Sequence, residues 1–348
     1  MKPGLIGRIA RRVGAGRDAV TRRQFLKGAA ATGAGLMLGG RFAEAKTGAD
    51  APHVIIVGAG FSGLSCAFQL RNAGARVTVL EARNRVGGRV LSLKDFIEGR
   101  VIEGGAELIG SNHPTWMAYA KHFGLEFRDV SEPDHDKAPI VLDGRTYSGR
   151  ELAALWDQID DALALLNADA RKVDLNRPWE TPGAAELDHT SLAAAFAAWD
   201  LEKTARQGAL TLMSNDDVLW PERSSYLASL CCVAGGGYED FWTESEVFRC
   251  IGGNQQMAFK LAEAVGADNI KLGAPVARIG LAGSGAVVDM ADGSSVEGDV
   301  VVLTVPPSAW NNFAIDPELP QGYQPSTGPA IKYLSKVSGP FWEKSGVV

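Results

Sequence analysis

The chain has 348 residues, of which 46% are hydrophobic and 22% charged, and its formal net charge at pH 7 is -6. Four cysteines are too few for a disulfide-stabilised scaffold, and the hydrophobic content is too high for a disordered chain. Residues 1–45 hold nine of the 35 Lys and Arg but only two of the 41 Asp and Glu. The remainder is therefore strongly acidic, which excludes nucleic acid and anionic lipid as partners. No apolar run reaches the roughly 18 residues of a membrane-spanning helix.

Residues 1–45 have the pattern of an export signal. The pair Arg22-Arg23 precedes Phe25-Leu26-Lys27, an Ala- and Gly-rich stretch follows, and Ala43-Glu44-Ala45 forms a small-x-small cleavage site. This pattern resembles the bacterial twin-arginine signal; the alternative is a basic N-terminal arm. The resemblance implies that the Tat export machinery moves the folded protein into the periplasm, without a stable membrane anchor.

A dinucleotide-binding βαβ unit is predicted directly after this signal. An apolar strand over residues 53–57 leads into the turn Gly58-Ala59-Gly60-Phe61-Ser62-Gly63, and a helix then continues to Gly74. A second strand over residues 76–80 leads to Glu81. Strand, G-x-G-x-x-G, helix, strand and acid occur in the order and spacing of a Rossmann-like unit.

Each residue type in this unit suits one task. Gly58 allows the turn, Gly60 lets the backbone approach a pyrophosphate, and Gly63 permits close packing of the helix on the strand. The free N–H groups at the start of the helix favour phosphate binding. Glu81 can accept hydrogen bonds from both ribose hydroxyls, and an acid at this position disfavours the 2′-phosphate of NADP.

The residues after Glu81 favour FAD. The stretch from Glu81 to Arg89 reads E-A-R-N-R-V-G-G-R. It resembles the second signature of the FAD family that includes amine oxidases, phytoene desaturases and protoporphyrinogen oxidase. In that family the segment equivalent to Gly87-Gly88-Arg89 lies against the flavin pyrophosphate, and a guanidinium suits that anion. Arg85 fits a solvated turn better than Arg89 does.

Further segments resemble those of monoamine oxidases and L-amino acid oxidases. Residues 101–110 are similar to the stretch that passes the flavin ring, and residues 249–256 to a Gly-Gly segment that opens a helix back into the flavin domain. Val276 matches the valine that contacts the adenine through its backbone. Lys332 matches the lysine that holds a water at flavin N5 and assists reaction with oxygen.

The resemblance therefore implies a set of site residues. It assigns Lys332 to catalysis and the following residues to FAD: Gly58, Gly60, Phe61, Ser62, Gly63, Glu81, Ala82, Arg83, Gly88, Arg89, Gly105, Ala106, Glu107 and Val276. The five histidines are not at metal-ligand spacings, so no metal site is predicted. His113 either borders the active site or supports its loop.

The fold expected from this pattern is α/β. A Rossmann-like FAD-binding domain takes residues 50–130 and 246–318, and an inserted substrate domain with a sheet and a helical cap takes residues 131–245 and 319–348. Residues 319–348 are expected to begin the sheet of the substrate domain. Family members continue with a Gly-Ala…Ser-Gly segment at the isoalloxazine, so the C-terminal part of the family fold is expected to be missing.

Two Ala- and Leu-rich stretches predict the helical cap. Helical periodicity runs from Leu152 to Leu166 and from Leu192 to Leu201. The aromatic residues of the cap region are expected mainly in its core, and one or two of them in the substrate pocket. These residues are Trp199, Trp220, Tyr226, Tyr238 and Trp242.

The resemblance implies oxidation of an amine to an imine by hydride transfer to flavin N5, with reoxidation by O2 or a periplasmic electron carrier. L-amino acid oxidases place an arginine just after their Gly-Ala pair, whereas this chain continues with Glu107, Leu108 and Ile109. That difference favours an amine substrate without an α-carboxylate. An L-amino acid oxidase, another FAD oxidoreductase of the superfamily, and a non-catalytic flavin-binding remnant stay open as alternatives.

Overall fold

The computed structural model describes residues 51–131, 139–283, 285–319, 327–339, 341 and 342. The twin-arginine segment in residues 1–45 lies outside the described residues. None of the helices in the described ranges combines the length and the apolar character that crossing a membrane requires.

Strands and helices alternate along the first part of the chain, and helices dominate its middle. The strands are β1 (His53–Val57), β2 (Arg76–Leu80), β3 (Ser92–Ile97), β4 (Arg100–Glu103), β5 (Phe127–Asp129), β6 (Ile140–Leu142), β7 (Arg145–Tyr147), β8 (Phe248–Cys250), β9 (Ile270–Lys271), β10 (Val276–Ala282), β11 (Gly285–Met290), β12 (Ser295–Gly298), β13 (Val300–Leu303) and β14 (Ala314–Asp316). The α-helices are α1 (Phe61–Asn72), α2 (Pro114–Phe123), α3 (Gly149–Ala170), α4 (Ala184–His189), α5 (Leu192–Ala197), α6 (Lys203–Asp217), α7 (Tyr226–Gly235), α8 (Glu239–Glu244) and α9 (Gln256–Val265).

A parallel sheet in the order β13-β1-β2-β9 forms the centre of the part that is predicted to bind the dinucleotide. The predicted strands over residues 53–57 and 76–80 are confirmed in full, and they pair in parallel with Ile56 opposite Val79. Ile56 belongs to a core cluster that also contains Leu64 of α1 and Leu261 of α9. Burial of each such side chain contributes about 2 kcal/mol, so this cluster fixes α1 and α9 on one face of the sheet.

A second sheet, in the order β12-β11-β10-β14, packs next to the parallel sheet. Ile55 and Leu80 of the parallel sheet share a core cluster with Val288 and Met290 of β11. Because successive side chains of a strand point to opposite faces, Ile55 and Ile56 enter different cores. The apolar run of β1 is thus explained by burial on both faces. Asp292 and Gly293 lie in the hairpin turn that connects β11 and β12, and Gly293 has the positive φ that such a turn requires.

Helices α3 to α8 form a separate bundle with its own core, which includes Leu163, Phe196 and Met213. The helix predicted from Leu152 to Leu166 is confirmed and spans Gly149–Ala170, whereas the helix predicted from Leu192 to Leu201 already ends at Ala197. Tyr226 is buried as expected. For Trp220 the expectation of a core position is wrong: it lies in the turn between α6 and α7 and is 75% exposed.

The chain enters and leaves the bundle along one pair of strands. β5 and β8 pair in an antiparallel manner, with Phe127 opposite Cys250 and Asp129 opposite Phe248. An insertion between residues 130 and 246, as the sequence predicts, agrees with this arrangement, and the two-domain division itself stays a prediction. Residues 327–339 contain no strand, so the expected start of a substrate-domain sheet is absent from that described part of residues 319–348.

Candidate active site

Two glycine-rich turns meet at the carboxyl end of the parallel sheet. Gly60 forms a parallel bridge with Gly87, and the amide of Gly87 donates to the carbonyl of Ala59 at 2.8 Å. A Cβ atom at Gly63 would lie only 1.9 Å from the carbonyl oxygen of Gly58. Only glycine therefore fits at position 63, and the close packing of α1 on the end of β1 that the sequence predicts is present.

The amino end of α1 faces this junction without a capping side chain. Gly60 is the N-cap residue, and the first turn contains no acidic residue. The first N–H groups of a helix have no partner within the helix, and the helix dipole adds a positive potential there. Phe61, Ser62 and Gly63 begin α1, so their N–H groups are suited to an anion such as a pyrophosphate.

Glu81 lies at the end of β2, beside the turn that precedes α1. Its side chain is buried, and its two carboxylate oxygens accept the amide of Ala59 at 2.8 Å and the amide of Arg83 at 2.9 Å. A carboxylate offers about four lone-pair sites, so these two bonds fix the group and leave acceptor capacity for ribose hydroxyls. Ala82 and Arg83 follow on the exposed side of the same turn.

The start of β10 runs next to this turn. The amide of Ala274 donates to the carbonyl of Glu81 at 2.9 Å, and the amide of Gly273 donates to that of Arg83 at 3.0 Å. Val276, two residues further on, is half-buried. Val276 therefore lies near Glu81. The sequence predicts that Glu81 binds the ribose and Val276 the adenine of the same adenosine group.

The Gly87-Gly88 turn is supported from within by Arg85. The guanidinium of Arg85 donates to the carbonyl of Gly88 at 2.9 Å and to those of Val86 and Val90 at 3.4 Å. The interpretation of Arg85 as a solvated residue is therefore wrong, because three backbone acceptors draw its half-buried side chain into the turn. Arg89 is exposed on the outside of the turn, where its charge is accessible to an anion.

The segment Gly105-Ala106-Glu107 lies directly against Arg89. The amide of Ala106 donates to the carbonyl of Arg89 at 3.1 Å, and a Cβ atom at Gly105 would lie 2.1 Å from that oxygen. The turn that follows Glu81 and the segment predicted to pass the flavin ring are therefore in contact.

Lys332 reaches the same segment from the far end of the chain. Its ammonium donates to the carbonyl of Glu103 at 3.2 Å, to that of Gly105 at 3.1 Å and to the carboxylate of Glu107 at 2.5 Å. Arg249 binds the other oxygen of the same carboxylate. Burial disfavours the ionised form of Glu107, but the hydrogen bond from Lys332 and the charge of Arg249 outweigh that effect and hold its pKa below the ordinary value.

Four buried or half-buried polar residues, to which the sequence analysis assigned no role, hold these segments together: Ser92, Glu103, Asn254 and Gln255. The side-chain amide of Asn254 donates to the carbonyls of Ala106 and Glu107, and the backbone N–H of Asn254 donates to the carboxylate of Glu103 at 2.8 Å. Gln255 donates to the carbonyl of Val86 at 2.8 Å and exchanges two hydrogen bonds with Ser92. Asn254 and Gln255 belong to the Gly-Gly segment recognised in the sequence, which is the signal that could have identified them.

A cavity of about 460 Å³ lies between α1, α2 and α9, and its lining includes Phe61, Trp116 and His113. His113 has a loop-supporting role, because its Nδ1 accepts the amide of Gly110 at 2.9 Å. Burial lowers the pKa of His113 below its ordinary value. Across the described ranges, no three His, Cys, Asp or Glu side chains are grouped closely enough to hold a metal ion.

The residues of this site fit FAD. The uncapped start of α1 supplies N–H donors for a pyrophosphate, and Glu81 is held in place with acceptor capacity for a ribose. The segment from Glu103 to Glu107 continues from the Gly-Gly-Arg turn towards Lys332. The site thus offers an acceptor for a ribose, donors for a pyrophosphate and a cation at the segment predicted to pass the flavin ring.

Comparison with known proteins identifies the family. Residues 61–347 match the model of the flavin containing amine oxidoreductase family, and residues 19–39 match that of the twin-arginine translocation pathway signal sequence. The chain is 29% identical to putrescine oxidase of Kocuria rosea over 322 residues, which covers 84% of this chain and 66% of that protein. It is 25% identical to the flavin-containing amine oxidase B of Canis lupus familiaris over 325 residues, covering 84% of this chain and 58% of that protein.

Solved structures agree with this assignment. A wild-type putrescine oxidase bound to putrescine superimposes with a TM-score of 0.68 at 29% identity, covering 78% of this chain and 61% of that one. Cyclohexylamine oxidase from Brevibacterium oxydans gives a TM-score of 0.66 at 26% identity, covering 77% and 61%. The chain thus spans 58–66% of the length of these relatives. FAD is the cofactor that the family implies. Since the family model matches most of the chain, the protein belongs to the flavin-containing amine oxidoreductase family.

Proposed function

We propose that the protein oxidises an amine to an imine with bound FAD. One observation carries this proposal: the ammonium of Lys332 is anchored on the backbone of the segment that packs against the Gly-Gly-Arg turn. That contact brings a cation from the end of the described chain to the place where the flavin ring is expected.

The chain's own residues divide the work of binding. The first N–H groups of α1 and the guanidinium of Arg89 bind the pyrophosphate, Glu81 binds the ribose, and the backbone of Val276 contacts the adenine. FAD, when bound, supplies the acceptor for the hydride equivalent that leaves the α-carbon of the amine. Lys332 exchanges one of its three protein contacts for a water molecule near the flavin and assists the reoxidation.

The substrate class that the site favours is an amine without an α-carboxylate. Glu107 stands at the segment next to Lys332, and its lowered pKa keeps it ionised at neutral pH. The segment that follows Gly105-Ala106 carries this acid and no arginine, so it offers no guanidinium of its own to a substrate carboxylate. Arg249, the arginine in contact with the segment, pairs with Glu107. The names of the relatives, putrescine oxidase and cyclohexylamine oxidase, refer to amines of this class.

The export signal places this chemistry outside the cytoplasm in the proposal. The Tat machinery carries the folded protein into the periplasm, and FAD is loaded before export. The electron acceptor is then O2 or a periplasmic electron carrier.

The test is an anaerobic absorbance titration of the full chain mixed with FAD and passed through gel filtration. A panel of primary amines, diamines and the corresponding L-amino acids is added, and flavin bleaching is recorded. We expect the flavin band to co-elute with the protein and to bleach with amines. Bleaching only with amino acids would replace the proposal by an amino acid oxidase. Flavin that is retained but bleached by neither class would indicate a flavin-binding protein without amine oxidation.

A further inference from the structure

Glu107 occupies the centre of an ion triad. One carboxylate oxygen accepts a hydrogen bond from Lys332 at 2.5 Å, and the other binds the guanidinium of Arg249. The side chain of Glu107 is about one-third exposed, so water screens both contacts only in part. Because charge-assisted hydrogen bonds are about twice as strong as neutral ones, this carboxylate is a strong local anchor for both cations.

All donors of the Lys332 ammonium are used within one short segment. An ammonium group has three N–H donors, and Lys332 directs them to the carbonyls of Glu103 and Gly105 and to the carboxylate of Glu107. The backbone of residue 332 lies outside any helix or strand. The position of its amine therefore depends on these three contacts rather than on a rigid element.

The two carbonyls and the carboxylate differ in what fixes them. Glu103 is the last residue of β4 and is buried, and Gly105 packs so closely on the backbone of Arg89 that a Cβ atom at position 105 would lie 2.1 Å from the Arg89 carbonyl oxygen. The carboxylate of Glu107, in contrast, has rotamer freedom unless a second partner restrains it. Arg249 is that partner, and it belongs to β8, which pairs with β5. The triad thus connects a lysine without regular structure to β8, which pairs with β5.

We propose that Glu107 is the positioning residue of Lys332. Its carboxylate, held on the opposite side by Arg249, keeps the lysine amine against the backbone of residues 103–107. The inference rests on the proposed function, because only the flavin reaction gives the position of this amine a purpose. It assigns Glu107 a side-chain role towards Lys332 in addition to the contact of its backbone segment with FAD.

The experiment measures the reactivity of one amine in the full chain and does not need bound FAD. The protein is treated with a limiting amount of N-hydroxysuccinimidyl acetate, and acetylation of Lys332 is quantified by peptide mass spectrometry relative to the exposed Lys336 in the same molecules. We expect Glu107→Gln to raise the Lys332 to Lys336 ratio about fivefold, because a partly screened ion pair that restrains the amine is lost.

A matched control removes a carboxylate from another lysine. Glu263→Gln eliminates the exposed ion pair with Lys260, whose atoms are 3.1 Å apart, and is expected to leave the Lys332 ratio unchanged. A second measurement needs no variant: 1 M salt should raise the ratio in the wild-type chain, because it screens the pair. An unchanged ratio in folded Glu107→Gln protein would overturn the proposal. If that variant does not fold, an unchanged ratio at high salt overturns it.

The acetylation experiment and the test of the proposed function can fail independently of each other. When amines bleach the flavin of the wild-type protein, Glu107→Gln should also change the pH profile of flavin reoxidation, whereas Glu263→Gln should not. When no amine bleaches the flavin, the proposed function fails, and the acetylation ratio still decides whether Glu107 positions Lys332.

Discussion

The side-chain amide of Asn254 lies 2.8 Å from the backbone carbonyl oxygen of Glu107, although 147 residues separate the two in the chain. The same amide nitrogen donates to the carbonyl of Ala106, and the amide oxygen accepts the backbone N–H of Cys250. Asn254 is 2% exposed. One buried side chain thus joins the start of α9 to the segment that passes Lys332.

Replacing Asn254 by alanine is expected to lower the free energy of unfolding by about 2–4 kcal/mol, because it leaves buried carbonyls and a buried N–H without partners. Urea unfolding followed by circular dichroism measures the change. Asn176→Ala, at an exposed position, should change the free energy by less than about 0.5 kcal/mol. Equal effects of the two substitutions would show that the contacts of Asn254 do not stabilise the fold.

Gly63→Ala is expected to cost at least about 2 kcal/mol of stability and to weaken retention of FAD on gel filtration. The added Cβ would meet the carbonyl of Gly58 at 1.9 Å, and such overpacking forces the backbone to shift. Gly235→Ala is the matched control, since it is also helical and a Cβ there meets no atom within 4 Å. That control should be neutral or stabilise by up to about 1 kcal/mol. A harmless Gly63→Ala would contradict the close packing of α1 on β1.

Glu81→Gln is expected to raise the dissociation constant of FAD by about tenfold to a hundredfold. The glutamine side chain lacks the negative charge that strengthens the hydrogen bonds of Glu81. Its N–H₂ group would also face one of the two backbone N–H groups that now donate to the carboxylate. Quenching of flavin fluorescence during titration of the apoprotein with FAD gives the constant. Glu186→Gln, on the exposed surface of α4, should leave it unchanged, and an equal loss in both variants would argue against a ribose contact by Glu81.

His113→Asn is expected to make stability less sensitive to acid. Burial lowers the pKa of His113 in the folded protein, so the unfolded chain binds the proton more tightly. The neutral ring therefore contributes fully to the free energy of unfolding above the unfolded pKa of about 6.5, and this contribution is lost as the pH falls below that value. Asparagine can still accept the Gly110 amide but does not titrate. The free energy of unfolding in urea should differ less between pH 7 and pH 5 for the variant than for the wild-type protein. An identical difference would show that His113 does not cause the acid sensitivity.

Elements that combine a periodic apolar pattern with a glycine motif could be predicted from the sequence. Both strands around α1 have their predicted bounds, because β1 is buried on both faces and its apolar run reports that burial directly. The contact between the turn at Gly88 and the segment at Gly105 agrees with the order of the motifs. In these places local sequence and tertiary packing favour the same structure.

Features that depend on distant partners could not be predicted. Arg85 lies in a charged, glycine-rich stretch that is typical of a solvated turn, and only the folded Gly87-Gly88 turn provides the three carbonyls that bind it. Trp220 has the residue type of a core position, but its place in a turn leaves it exposed. The roles of Asn254 and of the triad around Glu107 likewise arise from contacts across more than 140 residues. The Gly-Gly segment marks the position of Asn254, but it does not encode which distant residues Asn254 contacts.

The pairing of β5 with β8 has a consequence for how the inserted helical bundle can vary. The chain departs from the flavin-binding part and comes back to it in adjacent strands, with Asp129 opposite Phe248. An insert whose two ends are already neighbours imposes little loop-closure entropy on its host, and that entropy grows only slowly with the length of the insert. The helical bundle can therefore be lengthened, shortened or exchanged for another with little effect on the cofactor site. Such a junction lets the scaffold around the glycine-rich turns carry a different helical module without rebuilding its own core.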